Sequence, residues 1–227
     1  MLILTNKKFY LAFFYFLSLT LNMVVANEIW FTSSGDYKSS KYSNLTNINK
    51  DNIKKLDVSW IYENGYLAPT KNFRISNQST PIFTGKSLIM TSLDGYLISL
   101  DPSNGSELWR LKLRKPVGKR GLIFNKGNIF TPTSQGIVVV REDTGKINET
   151  FGEKGFIGKY GERFDTLVPP IINKNNIFVA HRTKIESYSL PDGKSKWKLD
   201  LNGSRVWSGI SFDTTTNTIL AVTSNLV

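Results

Sequence analysis

Apolar and polar positions alternate along this chain in short bursts, and each burst is closed by turn residues. Leu97, Ile98, Ser99, Leu100 and Asp101 lead into Asn104-Gly105 and then a second burst that ends at Trp109. The phrase returns at 138–146 around Gly145 and at 185–197 around Gly193. A period of two is that of a half-buried strand, and Asp/Asn/Thr-Gly pairs are hairpin chemistry. The pattern predicts strands at 80–83, 87–91, 96–101 and 107–113, then at 121–124, 128–131, 137–141 and on to about 151. A third group covers 167–172, 176–180, 185–190 and 196–201, and a fourth begins with 206–212 and 218–223. Turns are predicted at Asp94-Gly95, Gln135-Gly136 and Lys174-Asn175-Asn176. Residues 58–62 alternate and predict a further strand, 52–56 a single helical turn, and 66–77 a loop.

A repeat of this length with several short strands per unit is a β-propeller blade, and one blade cannot bury its faces alone. The expected fold is all-β, an array of four-stranded antiparallel blades. About three and a half blades are present of a ring expected to hold eight, and propellers protect their edges by closing. The chain is therefore expected to be the N-terminal fragment of a longer protein.

The N-terminus changes the picture. Lys7 and Lys8 precede an apolar run over 9–25, and Val24-Val25-Ala26 offers the small residues a signal peptidase reads. Residues 1–26 are expected to be a signal peptide and 27–227 the partial propeller domain. The competing reading is an uncleaved inner-membrane anchor, although the run is short for a span and Asn22 interrupts it. Either reading puts the remainder outside the cytoplasm. The net charge of +11 is carried by dispersed lysines with no long like-charge block, which reads as a solvated basic surface and not as a nucleic-acid site. Absence of cysteine excludes disulfides, thiolate chemistry and a C-x-x-C-H haem site. The lone histidine, His181, has no triad motif around it and reads as structural. Five N-x-S/T sequons, at Asn44, Asn77, Asn104, Asn148 and Asn202, are ordinary for an Asn-rich chain.

The segments between the repeats carry a resemblance. Trp30-Phe31-Thr32-Ser33-Ser34-Gly35-Asp36, Lys41-Tyr42-Ser43-Asn44-Leu45 and Leu56-Asp57-Val58-Ser59-Trp60 resemble the leading segment of pyrroloquinoline quinone (PQQ)-dependent dehydrogenases. Thr80-Pro81-Ile82, Arg120-Gly121-Leu122-Ile123-Phe124, Phe151-Gly152-Glu153-Lys154-Gly155, Trp207 to Asp213 and Thr223-Ser224-Asn225 extend it in order. The resemblance implies a periplasmic quinoprotein that oxidises an alcohol or sugar hydroxyl and passes electrons to a respiratory quinone or cytochrome. Its cofactors would be PQQ and calcium or another divalent cation. PQQ is a flat ortho-quinone with three carboxylates, so it needs an aromatic floor, donors at its oxygens and a hard cation.

On that resemblance Trp207 is the stacking residue beneath the quinone, and Arg120 contacts the reactive carbonyls. Gln78 and Thr166 are polar contacts to the carboxylates, and Asn225 is an amide ligand to the metal. Each has a plainer reading as a core aromatic, a surface charge or a loop polar residue. Two departures bear on the branch. Val117-Gly118-Lys119 stands where alcohol-oxidising members carry adjacent cysteines, which favours the cysteine-poor, glucose-dehydrogenase-like branch. His181-Arg182-Thr183-Lys184 replaces the segment with the calcium-binding glutamate, so the metal site is differently built or degenerate. The family's catalytic aspartate lies in a later blade, beyond this chain. The rival reading is a non-catalytic periplasmic propeller with PQQ-like repeats that acts as a protein-assembly scaffold.

Overall fold

Each predicted group folds as one antiparallel meander. The computed structural model describes residues 28–65, 78–113, 120–133, 136–158 and 168–224. Blade one is β1 (Ile82–Phe83), β2 (Leu88–Thr91), β3 (Tyr96–Leu100) and β4 (Glu107–Lys112). Blade two is β5 (Ile123–Asn125), β6 (Asn128–Thr133), β7 (Gly136–Arg141) and β8 (Phe156–Ile157). Blade three is β9 (Ile171–Asn173), β10 (Asn176–Ala180), β11 (Lys184–Ser189) and β12 (Ser195–Asp200). Blade four contributes β13 (Arg205–Asp213) and β14 (Thr218–Ser224). Helix among the described residues is the single 3-10 turn Ile53–Lys55, entered through Asn52 as the pattern predicts. The signal-peptide segment and the 66–77 loop lie outside the described residues.

Alternation divides each blade between two interfaces. Ile129, Val138 and Val140 turn toward blade one and join Ile82, Ile89 and Leu97. Their neighbours Phe130, Ile137 and Val139 turn the other way and meet Ile172, Ile177, Val179 and Tyr188 of blade three. Phe178, Ala180 and Ile185 leave the opposite face of blade three to pack on Val206, Ile210 and Phe212. The core is therefore a stack of apolar layers between blades, and no blade owns one by itself.

Several strand boundaries differ from the pattern. The inner strands pair later than predicted, at Ile82, Ile123 and Ile171. Pro81, Pro169 and Pro170 have no N–H to give to a ladder, and Gly121 sits at a φ of 127°. Blade two closes with β8, not with a strand ending near 151, because the chain makes a tight excursion through Gly152, Lys154 and Gly155 first. Residues 58–62 are not a strand, since they have no ladder partner among the described residues. They instead lie against blade one: Trp60 Nε1 donates to Pro102 O at 3.1 Å and Tyr62 Oη donates to Glu107 Oε2 at 2.6 Å.

A recurrent contact covers the turn glycines of blades one, two and three. The ring of Trp60 covers Gly105, where an added Cβ would come 2.4 Å from the ring. Trp109 on β4 covers Gly145 of blade two, where an added Cβ would lie 2.6 Å away, and its Nε1 donates to Glu142 O at 2.8 Å. No tryptophan follows in blade two. There the Gly152 backbone takes its place, its N–H donating to Pro191 O at 2.6 Å beside Gly193. Trp197 holds in blade three the register that Trp109 holds in blade one, each opposite a serine just before a bulge. It is 42% exposed.

Segment 30–37 runs across the inner strands. Trp30 exchanges two backbone bonds of 2.9 Å with Phe83, and Phe124 N donates to Phe31 O at 2.8 Å. Ile172 N donates to Tyr37 Oη at 3.3 Å, and Phe212 N donates to Tyr37 O at 3.1 Å. Burial raises the Tyr37 hydroxyl to about 12, so it stays a neutral phenol.

Two buried carboxylates lie at the blade interfaces, and the first ties two blades together. Glu142 accepts Ser87 Oγ at 2.7 Å and Thr84 Oγ1 at 3.0 Å from blade one. Glu186 lies between blades two and three and accepts the Tyr188 hydroxyl at 2.7 Å, with Lys184 Nζ at 3.1 Å and His181 Nε2 at 2.8 Å. His181 is buried, as a structural histidine should be.

Replacing Gly145 by Ala should cost about 2–5 kcal/mol, because it adds left-handed strain and pushes against the Trp109 ring. Gly203 has a φ of 87° with open space around it, so Gly203→Ala should cost only about 1–2 kcal/mol of strain. Urea unfolding of the two variants compares them directly, and equal losses would mean the tryptophan contact is loose.

Acid should weaken the fold through Glu186. Burial raises its carboxyl, but the Tyr188 and Lys184 bonds and the charges of His181 and Lys184 together hold it below the ordinary value of 4.5. A depressed folded pKa gives stability that is present above 4.5 and is lost as pH falls through the folded value. Unfolding measured against pH should therefore fall more steeply below that point in the wild type than in Glu186→Gln.

Candidate functional site

The ends at which the inner strands begin face one side of the blades. Gln78 precedes β1 and Arg120 precedes β5, so both stand where a side chain can leave its blade toward the inner rim. The fold brings these two together across 42 residues: Arg120 Nε donates to Gln78 Oε1 at 3.3 Å. An amide oxygen is neutral, so this contact leaves the guanidinium's positive charge uncancelled.

Gly121 carries Arg120 close to the crossing segment. A Cβ on Gly121 would lie 3.3 Å from Ser33 Cβ and 3.9 Å from Pro169 Cγ. Pro169 begins the approach to β9, so the mouths of blades two and three meet at Ser33. A small cavity of about 40 Å³, room for roughly one water, continues from there and is lined by Ser33, Asp36, Pro169, Ser208 and Gly209. A Cβ on Gly209 would be 3.9 Å from Val168 Cγ1, which draws β13 to the same place. Burial opposes ionisation of Asp36, but the Ser40 N–H at 3.0 Å and Ser40 hydroxyl at 2.7 Å hold its carboxyl below the usual range. It is a settled anion at the cavity wall.

Ladder pairing in β13 is interrupted between Val206 and Ile210. Trp207 falls in that interruption, and its side chain lies outside the described ones. Thr166 and Asn225 also lie outside the described residues. The geometry thus joins Gln78 with Arg120 and brings the strand that carries Trp207 to the same rim. Sequence reasoning gave Ser33 and Asp36 no role, although both stand in the leading segment that carried the family resemblance. The close contact at Gly121 was legible only as a glycine after an arginine.

The residue set suits an anionic, carbonyl-rich ligand, because Arg120 sets a positive charge and Gln78 an amide at one rim. For a divalent cation the described residues contain no group of three or more His, Asp or Glu side chains able to hold it. A larger groove of about 560 Å³ opens on the outer side among Phe178, Trp197, Phe212 and Ile219. It holds none of the candidate residues.

Comparison with known proteins agrees with this architecture. Residues 30–201 match the family described as PQQ: Glucose/ethanol/alcohol dehydrogenase, beta-propeller domain. The chain is 24% identical to quinoprotein glucose dehydrogenase A of Acinetobacter calcoaceticus, over 78% of its own length and 28% of the relative's. It is 26% identical to quinoprotein glucose dehydrogenase of Escherichia coli K12, over 69% of its length and 24% of the relative's. Among solved structures, the europium-containing methanol dehydrogenase superposes with a TM-score of 0.67 at 18% identity, over 88% of this chain and 43% of that one. The chain thus spans about a quarter of the curated glucose dehydrogenases it matches. By this match over most of its length, it belongs to the PQQ-type glucose/ethanol/alcohol dehydrogenase β-propeller family.

Proposed function

We propose that this chain is the leading part of an exported PQQ-dependent dehydrogenase that oxidises a sugar or alcohol hydroxyl and passes the electrons to a respiratory quinone or cytochrome. The observation that carries the reading is the Arg120–Gln78 hydrogen bond at the mouths of two successive inner strands, within a propeller of this family. Similarity to two quinoprotein glucose dehydrogenases and the absence of cysteine favour the glucose-dehydrogenase-like branch. The apolar stretch over 9–25 supports export to the periplasm.

When bound, PQQ supplies a two-electron acceptor for the hydroxyl-bearing carbon. The chain's own part is to hold and polarise it. Arg120 would place a fixed positive charge where negative charge grows on a carbonyl oxygen, and Gln78 would keep the guanidinium aimed. Trp207 would offer a flat apolar surface for a ring. Thr166 would donate to a carboxylate, and Asn225 would give a side-chain oxygen to a calcium-like cation. Crossing segment 30–37 would close the inner rim below these groups and limit water there.

Titration of PQQ with calcium into the full-length protein should quench tryptophan fluorescence saturably, and a sugar or alcohol should then reduce a dye. Trp207→Ala should weaken PQQ binding by about 1–3 kcal/mol, the worth of an aromatic stacking surface. Arg120→Ala should cut turnover by about 10²–10³-fold with a smaller loss of PQQ affinity, since it acts where charge develops. A wild type that takes up no PQQ would overturn the reading.

A further inference from the structure

The apolar layer between blades two and three contains one charged cluster. Glu186 and His181 are 9% and 4% exposed, among isoleucines and valines. A single carboxylate oxygen, Glu186 Oε2, meets the Tyr188 hydroxyl at 2.7 Å, His181 Nε2 at 2.8 Å and Lys184 Nζ at 3.1 Å. Burying a carboxylate is costly, and an apolar set of similar volume can serve packing equally well. What such a cluster adds is geometry, because it holds its members in one arrangement.

The element it holds is the corner between β10 and β11. His181 N donates to Lys184 O at 2.8 Å, which closes the corner. The two carbonyls at its tip then face blade four and the end of blade three: Val206 N donates to Arg182 O and Leu201 N to Thr183 O, each at 2.9 Å. Val206 is the last residue of β13 in register with β14 before pairing lapses until Ile210. The backbone through Trp207 is therefore not set by its ladder. It leaves from Val206, which is held on one side by Thr223 in the ladder and on the other by Arg182 O.

We propose that Glu186 is a positioning residue: by gathering His181, Lys184 and Tyr188 on one oxygen it fixes the 181–183 corner, and through Arg182 O it sets where β13 delivers Trp207 to the inner rim. The consequence for PQQ rests on the functional reading above; the mechanical link between Glu186 and β13 does not.

The experiment compares full-length wild type, Glu186→Gln and Tyr188→Phe, the last removing one hydroxyl while keeping the ring in the core. Amide hydrogen exchange is followed at Val206 and Leu201, with Phe83 and Phe124 in the first two blades as references. PQQ affinity is read by tryptophan quenching, and the thermal midpoint reports overall stability. Exchange at Val206 and Leu201 should quicken by about tenfold or more, the scale of one lost charge-assisted bond, while Phe83 and Phe124 keep their rates. PQQ affinity should fall about tenfold in Tyr188→Phe, on the same scale, with little change in the midpoint. Unchanged exchange at Val206, or equal quickening at all four amides, would overturn the inference. If Glu186→Gln does not fold, Tyr188→Phe decides. If the wild type binds no PQQ, the functional reading falls and the exchange data still decide this one.

Discussion

An innermost propeller strand has one neighbour in its own blade and a bare row of N–H and C=O groups on its other side. Segment 30–37 answers that row. It pairs with Phe83, Phe124, Ile172 and Phe212, one residue from the inner strand of each blade. Those bonds make the blades a single object, because each blade otherwise meets only the next through a layer of aliphatic side chains. The same segment puts Ser33 against Gly121 and Asp36 beside the approach to β9, so the frame of the fold and the rim of the candidate site share one stretch of chain.

Outward from that rim, blades are locked by a contact whose chemistry repeats while its residues vary. An aromatic ring lies close against a turn glycine at Trp60–Gly105 and Trp109–Gly145. The glycine serves twice there, since the turn needs a positive φ and the ring leaves no space for a Cβ. Blade two lacks the ring, and Gly152 brings backbone against Gly193 instead. Glu142 adds a polar counterpart between blades one and two. Glu142 spends a buried carboxylate on two donors of blade one, which selects one relative position of blades one and two where aliphatic contacts alone would allow sliding, while Glu186 gathers donors of its own blade.

Chemistry at the rim follows from this rigidity. Arg120 and Gln78 start different blades, and their contact depends on the angle between those blades. A group that must meet a flat, multiply charged ligand from several strands gains from a frame in which the strand mouths cannot drift. In β13 the ladder withdraws between Val206 and Ile210, where the backbone of Trp207 lies.

Much of the architecture was legible in the residues alone. Alternation with a period of two, the glycines at 105, 145 and 193, and the repeat length imply antiparallel blades, because these depend on local geometry and on which face of a strand is apolar. Arg120 and Trp207 were singled out by the family resemblance of the segments around them and not by alternation. Tertiary structure decided the rest. Alternation marked 58–62 as a strand, yet strand identity needs a partner, and Trp60 and Tyr62 spend their contacts on blade one. The late closure of blade two at Phe156 depends on a glycine-rich excursion whose length no period announces. The meeting of Gln78 with Arg120, the path of 30–37 across four blades and the gathering of His181 onto Glu186 are contacts between residues distant in sequence or set by packing. Their pairing is a matter of how blades stack, which one-dimensional pattern cannot carry.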